Sequence, residues 1–223
     1  MSKTILAIVA HPDDEAIGCG GTLAKHKKHG DKIHIVYMTD GVSARINSED
    51  TDVSTRNKMA HATGAYLTAK QYFFNYPDNR MDQEPLIDIV QSIESILVQV
   101  LPDIIYTHHF GDLNVDHQIV HQAVITANRP QPGTKVASIY TFEVNSSTEW
   151  GIKSTANSFL PTSFINITEQ LADKNRLLDI YAQEMRPYPH TRSKEAITAL
   201  AAVRGTSVGV SYAESFMLIR ELN

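Results

Sequence analysis

The sequence predicts an α/β protein: a Rossmann-like, mostly parallel sheet with helices on both faces. Three observations predict it. Four short runs, at residues 5–10, 33–38, 71–75 and 104–108, are rich in apolar, β-branched or aromatic residues, the composition of strands buried on both faces. Helical patterns lie between them, so strand and helix alternate along the chain. Polar clusters follow the first, second and fourth runs, at the strand ends beyond which an open parallel sheet binds its ligands.

The first run is Ile5-Leu6-Ala7-Ile8-Val9-Ala10, and it opens directly into His11-Pro12-Asp13-Asp14-Glu15. A helix is expected over residues 20–29, with Gly30 as its stop. The second strand, 33–38, ends at Thr39-Asp40-Gly41. A helix over 53–64 follows, and Gly64 reads as its stop. After the strand at 71–75 comes a helix over 85–101. Leu86, Ile89, Val90, Ile93, Ile96, Leu97 and Val100 recur there at helical spacing, with Pro85 in the first turn.

The fourth strand, 104–108, leads into Thr107-His108-His109-Phe110-Gly111-Asp112-Leu113-Asn114-Val115-Asp116-His117 and a helix from about 117 to 128. Residues 129–133 read as a loop, 136–142 as another strand and 160–163 as punctuation between elements. Helices are expected at 169–185 and 193–204, and a strand at 215–220 closing a sheet edge. No repeat, low-complexity tract or linker divides residues 1–223, which read as one domain.

Composition narrows the function classes. A net charge of −5 and the lack of a basic stripe argue against a nucleic-acid partner. His26-Lys27-Lys28-His29 reads as the solvated end of a helix. One cysteine excludes an intrachain disulfide framework and fits a reducing compartment. The opening apolar run is too short for a signal-peptide core or a membrane span, so a cytoplasmic protein with no membrane partner is expected. Gly18-Cys19-Gly20-Gly21 superficially suggests a dinucleotide loop. Its third glycine would fall at Leu23, so these residues read as close helix packing, with Cys19 a small buried residue.

Packed carboxylates repel one another and resist burial unless a cation sits among them. Parallel connectivity brings the His11–Glu15 cluster and the 107–117 cluster to one rim of the sheet. A mixed histidine and carboxylate site there suits zinc, and three protein ligands with an open position define a catalytic zinc site.

These residues resemble a known family. The "AHPDDE" after the first strand, the distant "DH" opening a helix, Arg56 on the second helix and the C-terminal "RGTSVGVSYAESF" are similar to the PIG-L/LmbE-like zinc-dependent N-deacetylases. The resemblance implies an LmbE-like fold and hydrolysis of the N-acetyl group of an N-acetylglucosamine-type amino sugar or sugar conjugate. It implies His11, Asp14 and His117 as metal ligands and Asp13 as the general base. It also implies Arg56 as a substrate-binding arginine and Glu15 as an acid behind the ligands. Asp116 is assigned beside Glu15, and Asp112 and Arg192 to substrate contact. Arg192 lies in Glu184–Ser193, a proline- and arginine-bearing stretch that reads as a loop over a cleft. Zn²⁺ is the expected cofactor, with Fe²⁺ as another divalent choice. The expected partner is a small amino-sugar substrate, and a homo-oligomer is compatible with the chain. The competing readings are a zinc amidase for a larger acyl group and a metal-bearing binding module without turnover.

One departure bears on mechanism. Many relatives read His-x-Asp-His where this chain reads Asn114-Val115-Asp116-His117. An amide cannot supply a proton at neutral pH, although it can hydrogen-bond an oxyanion. Asn114 is therefore assigned to the oxyanion, Asp13 to both base and acid, and His109 to reserve acid. His108 and His109 leave a strand in opposite directions, so at most one of them faces the site; His109 is the expected one. His121, one turn after His117, is expected to pack rather than ligate.

Overall fold

The computed structural model describes residues 2–44, 50–133 and 135–222. In chain order the elements are β1 (Thr4–Val9), α1 (Asp14–Lys28), β2 (Lys32–Thr39), α2 (Asp50–Leu67), β3 (Lys70–Tyr76), α3 (Leu86–Val100), β4 (Ile104–His108), α4 (Val115–Ala127), β5 (Ser138–Phe142), β6 (Ser163–Asn166), α5 (Leu171–Ile180), α6 (Lys194–Thr206) and β7 (Ala213–Glu221). Among the described residues seven strands form one sheet in the order β3-β2-β1-β4-β5-β7-β6. The first five run parallel; β7 is antiparallel to both β5 and β6. No described helix is long and apolar enough to cross a membrane.

The alternation of side chains along β1 divides the core into two layers. Ile5, Ala7 and Val9 pack with α1, α2, α5 and α6 through residues such as Leu23, Ala60, Leu177 and Ile197. Leu6, Ile8 and Ala10 pack on the other face with α3 and α4 through Ile89, Ile93, Val120 and Val124. Burying each large aliphatic side chain contributes about 1.5–3 kcal/mol. Strand order reverses between β1 and β4, which opens a crevice beyond their carboxyl ends.

Four sequence expectations are corrected. Helix α1 begins at Asp14, not residue 20, because Asp13 turns the chain sharply (φ 130°) straight into it; the helix then breaks at Cys19 (φ −143°). Gly64 lies inside α2 and does not stop it. A Cβ there would come within 2.2 Å of the Gln71 carboxamide, so the glycine leaves room for that side chain of β3, which donates to the Ala60 carbonyl. The helix ends beyond Leu67, at Thr68 (φ 56°). Residues 160–163 border a strand, β6, that the sequence reading missed. That strand forms the sheet edge and leaves β7 paired on both sides. Helix α5 is shorter than expected and is preceded by a 3-10 turn at Thr168–Gln170. By contrast, Gly30 does follow α1 in a left-handed conformation (φ 77°).

Candidate active site

His11 and Asp14 stand just past the end of β1, and His117 lies in the first turn of α4, which follows β4. The crossover at the sheet's reversal point brings them together although more than a hundred residues separate them in sequence. His11 Nδ1 lies 3.2 Å from Asp14 Oδ2. His117 Nε2 lies 3.2 Å from His11 Nδ1 and 3.3 Å from Asp14 Oδ2. The three donor atoms therefore form a nearly equilateral triangle. Neighbouring ligand atoms in a tetrahedral zinc site with bonds of about 2.0–2.1 Å are about 3.3 Å apart. The residues fit a small divalent metal by donor type, spacing and burial.

Electrostatics point the same way. Burial disfavours charge on His117, yet Asp14 and Asp112 raise its pKa to about 9. Burial likewise opposes charge on His11, and Asp14 with hydrogen bonds to Asp116 and Asp78 raises its pKa well above the ordinary value. Burial would raise the pKa of Asp14, but His117, His108 and His11 hold it well below the ordinary carboxylate value. The metal-free site thus gathers protons at the position a cation would take.

Each candidate histidine ligand is backed by a fixed partner. Asp112 Oδ2 lies 3.2 Å from His117 Nδ1. Its own carboxylate accepts hydrogen bonds from the Ser147 and Thr148 hydroxyls. Asp116 Oδ2 lies 3.1 Å from His11 Nε2, and its two oxygens accept the backbone N–H groups of Asn79 and Met81. Such partners orient the ligating imidazoles and fix their tautomers.

Asp13 is 1% exposed and faces two arginines, Arg56 Nη2 at 3.1 Å and Arg192 Nη1 at 3.4 Å. Burial raises its pKa, against the pull of Arg56 and Arg192. Its φ of 130° is strained for a residue with a side chain. The Glu15 carboxylate holds that backbone: it accepts the Asp13 N–H at 3.1 Å and the hydroxyls of Tyr37 and Tyr181. Burial pushes the Glu15 pKa up to about 7 although Tyr181 donates to it. Arg56 is itself buried and also pairs with Glu184.

The cleft has two lobes. A polar lobe of about 320 Å³ is lined by Asp13, Arg56, Asp78, Glu184, Arg186 and Arg192. A second, of about 400 Å³, adds Leu113, Val115, His117 and Trp150. His11, Asn79, Asn114 and Arg192 line both. Asn114 caps α4, its Oδ1 accepting the Asp116 N–H, which leaves its Nδ2 as the donor; one of that donor's bonds goes to Asn79 Oδ1 at 3.2 Å.

Two sequence expectations fail here. His108, not His109, faces the candidate metal ligands. Its ring stacks on His117 at 3.9 Å between centroids, and its Nε2 accepts the Ala10 N–H. That acceptance needs an unprotonated nitrogen, and burial together with His117 lowers the His108 pKa well below its ordinary value. His109 points the other way and donates from Nε2 to the Asn157 carbonyl, because successive strand residues alternate sides. It cannot serve as reserve acid from there. Asp112, expected at the substrate, is buried behind His117 instead. His121 donates to the His108 carbonyl and packs, as expected. Asp78 and Glu184 were missed. Asp78 carried no motif at all, and Glu184 sat in the stretch flagged only for its prolines and arginines.

Comparison with known proteins identifies relatives of this chain. Residues 6–128 match the PIG-L family, GlcNAc-PI de-N-acetylase. The chain is 33% identical over 173 residues to the uncharacterised deacetylase YaiS of Escherichia coli, covering 75% of this chain and 84% of that protein. It is 26% identical over 186 residues to 4-oxalmesaconate hydratase of Pseudomonas putida, covering 74% and 68%. The N,N'-diacetylchitobiose deacetylase structure from Pyrococcus horikoshii shares the fold with a TM-score of 0.79 at 21% identity, over 98% of this chain and 84% of that one. Deacetylases and a hydratase thus share this architecture, so the reaction has to be argued from the site.

Proposed function

We propose that this chain, which belongs to the PIG-L family of de-N-acetylases, is a metal-dependent hydrolase. It removes the N-acetyl group from an N-acetylglucosamine-type amino sugar or sugar conjugate. The observation that carries the reading is the triangle of His11, Asp14 and His117 donors in a cleft that also holds the buried, arginine-flanked Asp13.

Zinc, held by those three residues, would acidify water and polarise the acyl oxygen. The Asp13 carboxylate takes a proton from the attacking water as its oxygen bonds to the acyl carbon. Asn114 Nδ2 donates toward the oxygen that becomes negative. The C–N bond then breaks, and the carboxyl of Asp13 returns the proton to the departing nitrogen, giving acetate and a free amine. Burial favours this exchange, since it raises the Asp13 pKa toward the working range.

The polar lobe suits the sugar. Asp78 and Glu184 can accept from hydroxyls, and Arg192, 24% exposed, can donate to them. The acyl carbon then faces the lobe bearing Leu113 and Val115.

The test is mass-spectrometric detection of acetate release across a panel of N-acetylated sugars, with metal-replete protein. Free amine is expected from at least one N-acetylglucosamine conjugate. Hydration of 4-oxalmesaconate is assayed in parallel because one relative is a hydratase. Turnover there, or release of larger acyl groups only, with no acetate from any sugar, would overturn the reading.

A further inference from the structure

We propose that Lys174 and Glu214 are positioning residues of the metal centre: together they lock the break in α1 and so set where Asp13 and Asp14 stand. This inference rests on the reading of Asp14 as a metal ligand.

The break at Cys19 cuts α1 into a five-residue piece, Asp14 to Gly18, and a longer helix from Gly20 onward. A helix end leaves its last carbonyls and first N–H groups without intrahelical partners. Here both sets are buried, and both are met by one ion pair from elsewhere in the chain. Lys174, on α5, donates from Nζ to the Ile17 carbonyl at 2.8 Å and the Ala16 carbonyl at 3.3 Å. Glu214, on β7, accepts the Gly21 N–H at 3.0 Å and the Thr22 N–H at 2.7 Å. The ammonium and the carboxylate bond each other as well. Lys174 is 2% exposed and Glu214 5%.

Each charge has the sign its helix end demands: a cation at the carbonyl end of the first piece, an anion at the N–H end of the second. The first piece is far too short to hold a helical conformation by itself. Its bearing is fixed by what grips it. At its start, Glu15 ties the strained Asp13 to Tyr37 and Tyr181; at its end, Lys174 holds the carbonyls one turn beyond Asp14. A buried ion pair is often no more stabilising than apolar residues of similar volume. Stability alone therefore does not account for this pair, whereas the four backbone groups it satisfies do. Glu214 also lies within the C-terminal stretch that stood out in the sequence and that no catalytic step uses.

The experiment compares Glu214→Gln, Glu214→Asp, Lys174→Met and the charge swap Lys174→Glu with Glu214→Lys, alongside Ile96→Val in the opposite core layer. Zinc affinity is read by chelator competition, kcat and KM on the best acetylated sugar, and Tm in parallel. Single variants should lose about 10–100-fold in zinc affinity, the range for groups that orient ligands, and should lower kcat with KM little changed. Glu214→Asp keeps the charge with a shorter reach, and should lose less than Glu214→Gln. The swap should restore neither property, because it sets a carboxylate against carbonyls. Ile96→Val should lower Tm and leave zinc affinity and kcat intact. Folded single variants with parental zinc affinity and kcat would overturn the inference. So would a swap that restores them, or losses that merely follow Tm as in Ile96→Val. Asp14→Ala separates this from the underlying reading: if Asp14→Ala keeps its zinc, the ligand assignment fails. If it loses zinc while the pair variants keep theirs, only the positioning role fails.

Discussion

Asp112 Oδ2 lies 3.2 Å from Nδ1 of His117, while Nε2 of the same ring lies 3.2 Å from Nδ1 of His11. One nitrogen of His117 is thereby tied to a carboxylate and the other is turned to the candidate metal position. Asp112→Asn should lower zinc affinity about 10–100-fold, with KM for sugar nearly unchanged once metal is saturating. Chelator competition and steady-state kinetics check this. Full zinc affinity with a raised KM would return Asp112 to the substrate role that its sequence context suggested.

His117→Ala and Asp14→Ala should each remove most bound metal, since three protein ligands hold an open site and two do not replace them. Elemental analysis after gel filtration reads the outcome. Full retention in both variants would sink the ligand assignment.

Asp13→Asn should keep its metal and lose about 10²–10⁴-fold in kcat, the range for a positioned base. The amide also loses charge pairing with Arg56 and Arg192, so a lower Tm is expected as well. Near-parental turnover would rule out the base role.

Metal binding should be linked to pH through His117. Its pKa in the metal-free protein is raised to about 9, above the ordinary value of about 6.5. In that form the histidine contributes stability that is fully present below about pH 6.5 and lost as pH rises through about 9. A metal ion must displace that proton and the one held by His11, whose pKa is raised as well, so zinc affinity should climb with pH up to at least about 9, roughly tenfold per unit for each proton released. Asp14, whose pKa is depressed, is already ionised and adds no proton in this window. Calorimetry in buffers of different ionisation enthalpy counts the protons; an affinity flat between about pH 6.5 and about pH 8.5 would contradict the linkage.

Asn114→Ala should lower kcat about 10²–10³-fold if its amide serves the oxyanion, and should destabilise α4 by about 1 kcal/mol through the lost cap. His109→Gln should leave the pH–rate profile in place, because that ring bonds Asn157 rather than the cleft. A silent Asn114→Ala together with loss of the alkaline limb in His109→Gln would reverse both assignments.

Much of this protein was legible in its chain. The alternation of buried strands and amphipathic helices is local, and the two periodicities announce themselves in any short window. Parallel strands with crossovers place polar strand ends on one rim, so the His11–Glu15 and 107–117 clusters could be brought together from the sequence, and the family resemblance singled out His11, Asp14 and His117 within them. Gly30 was readable because ending a helix in a left-handed turn is a local event. Gly64 was not, since the space it leaves is filled by the Gln71 side chain of the neighbouring strand.

What lay beyond the chain is whatever depends on direction and on distant partners. A shift of one residue reverses a side chain, and that choice put His108 beside His117 and turned His109 to Asn157. Asp112 has the same composition cue whether it meets substrate or His117; only the approach of Ser147 and Thr148 commits it. Local sequence offered most of the candidate groups, because residue type and spacing are local quantities. Tertiary structure decided which of them face the candidate metal position and which hold the ones that do, because orientation comes from packing among segments far apart in the chain.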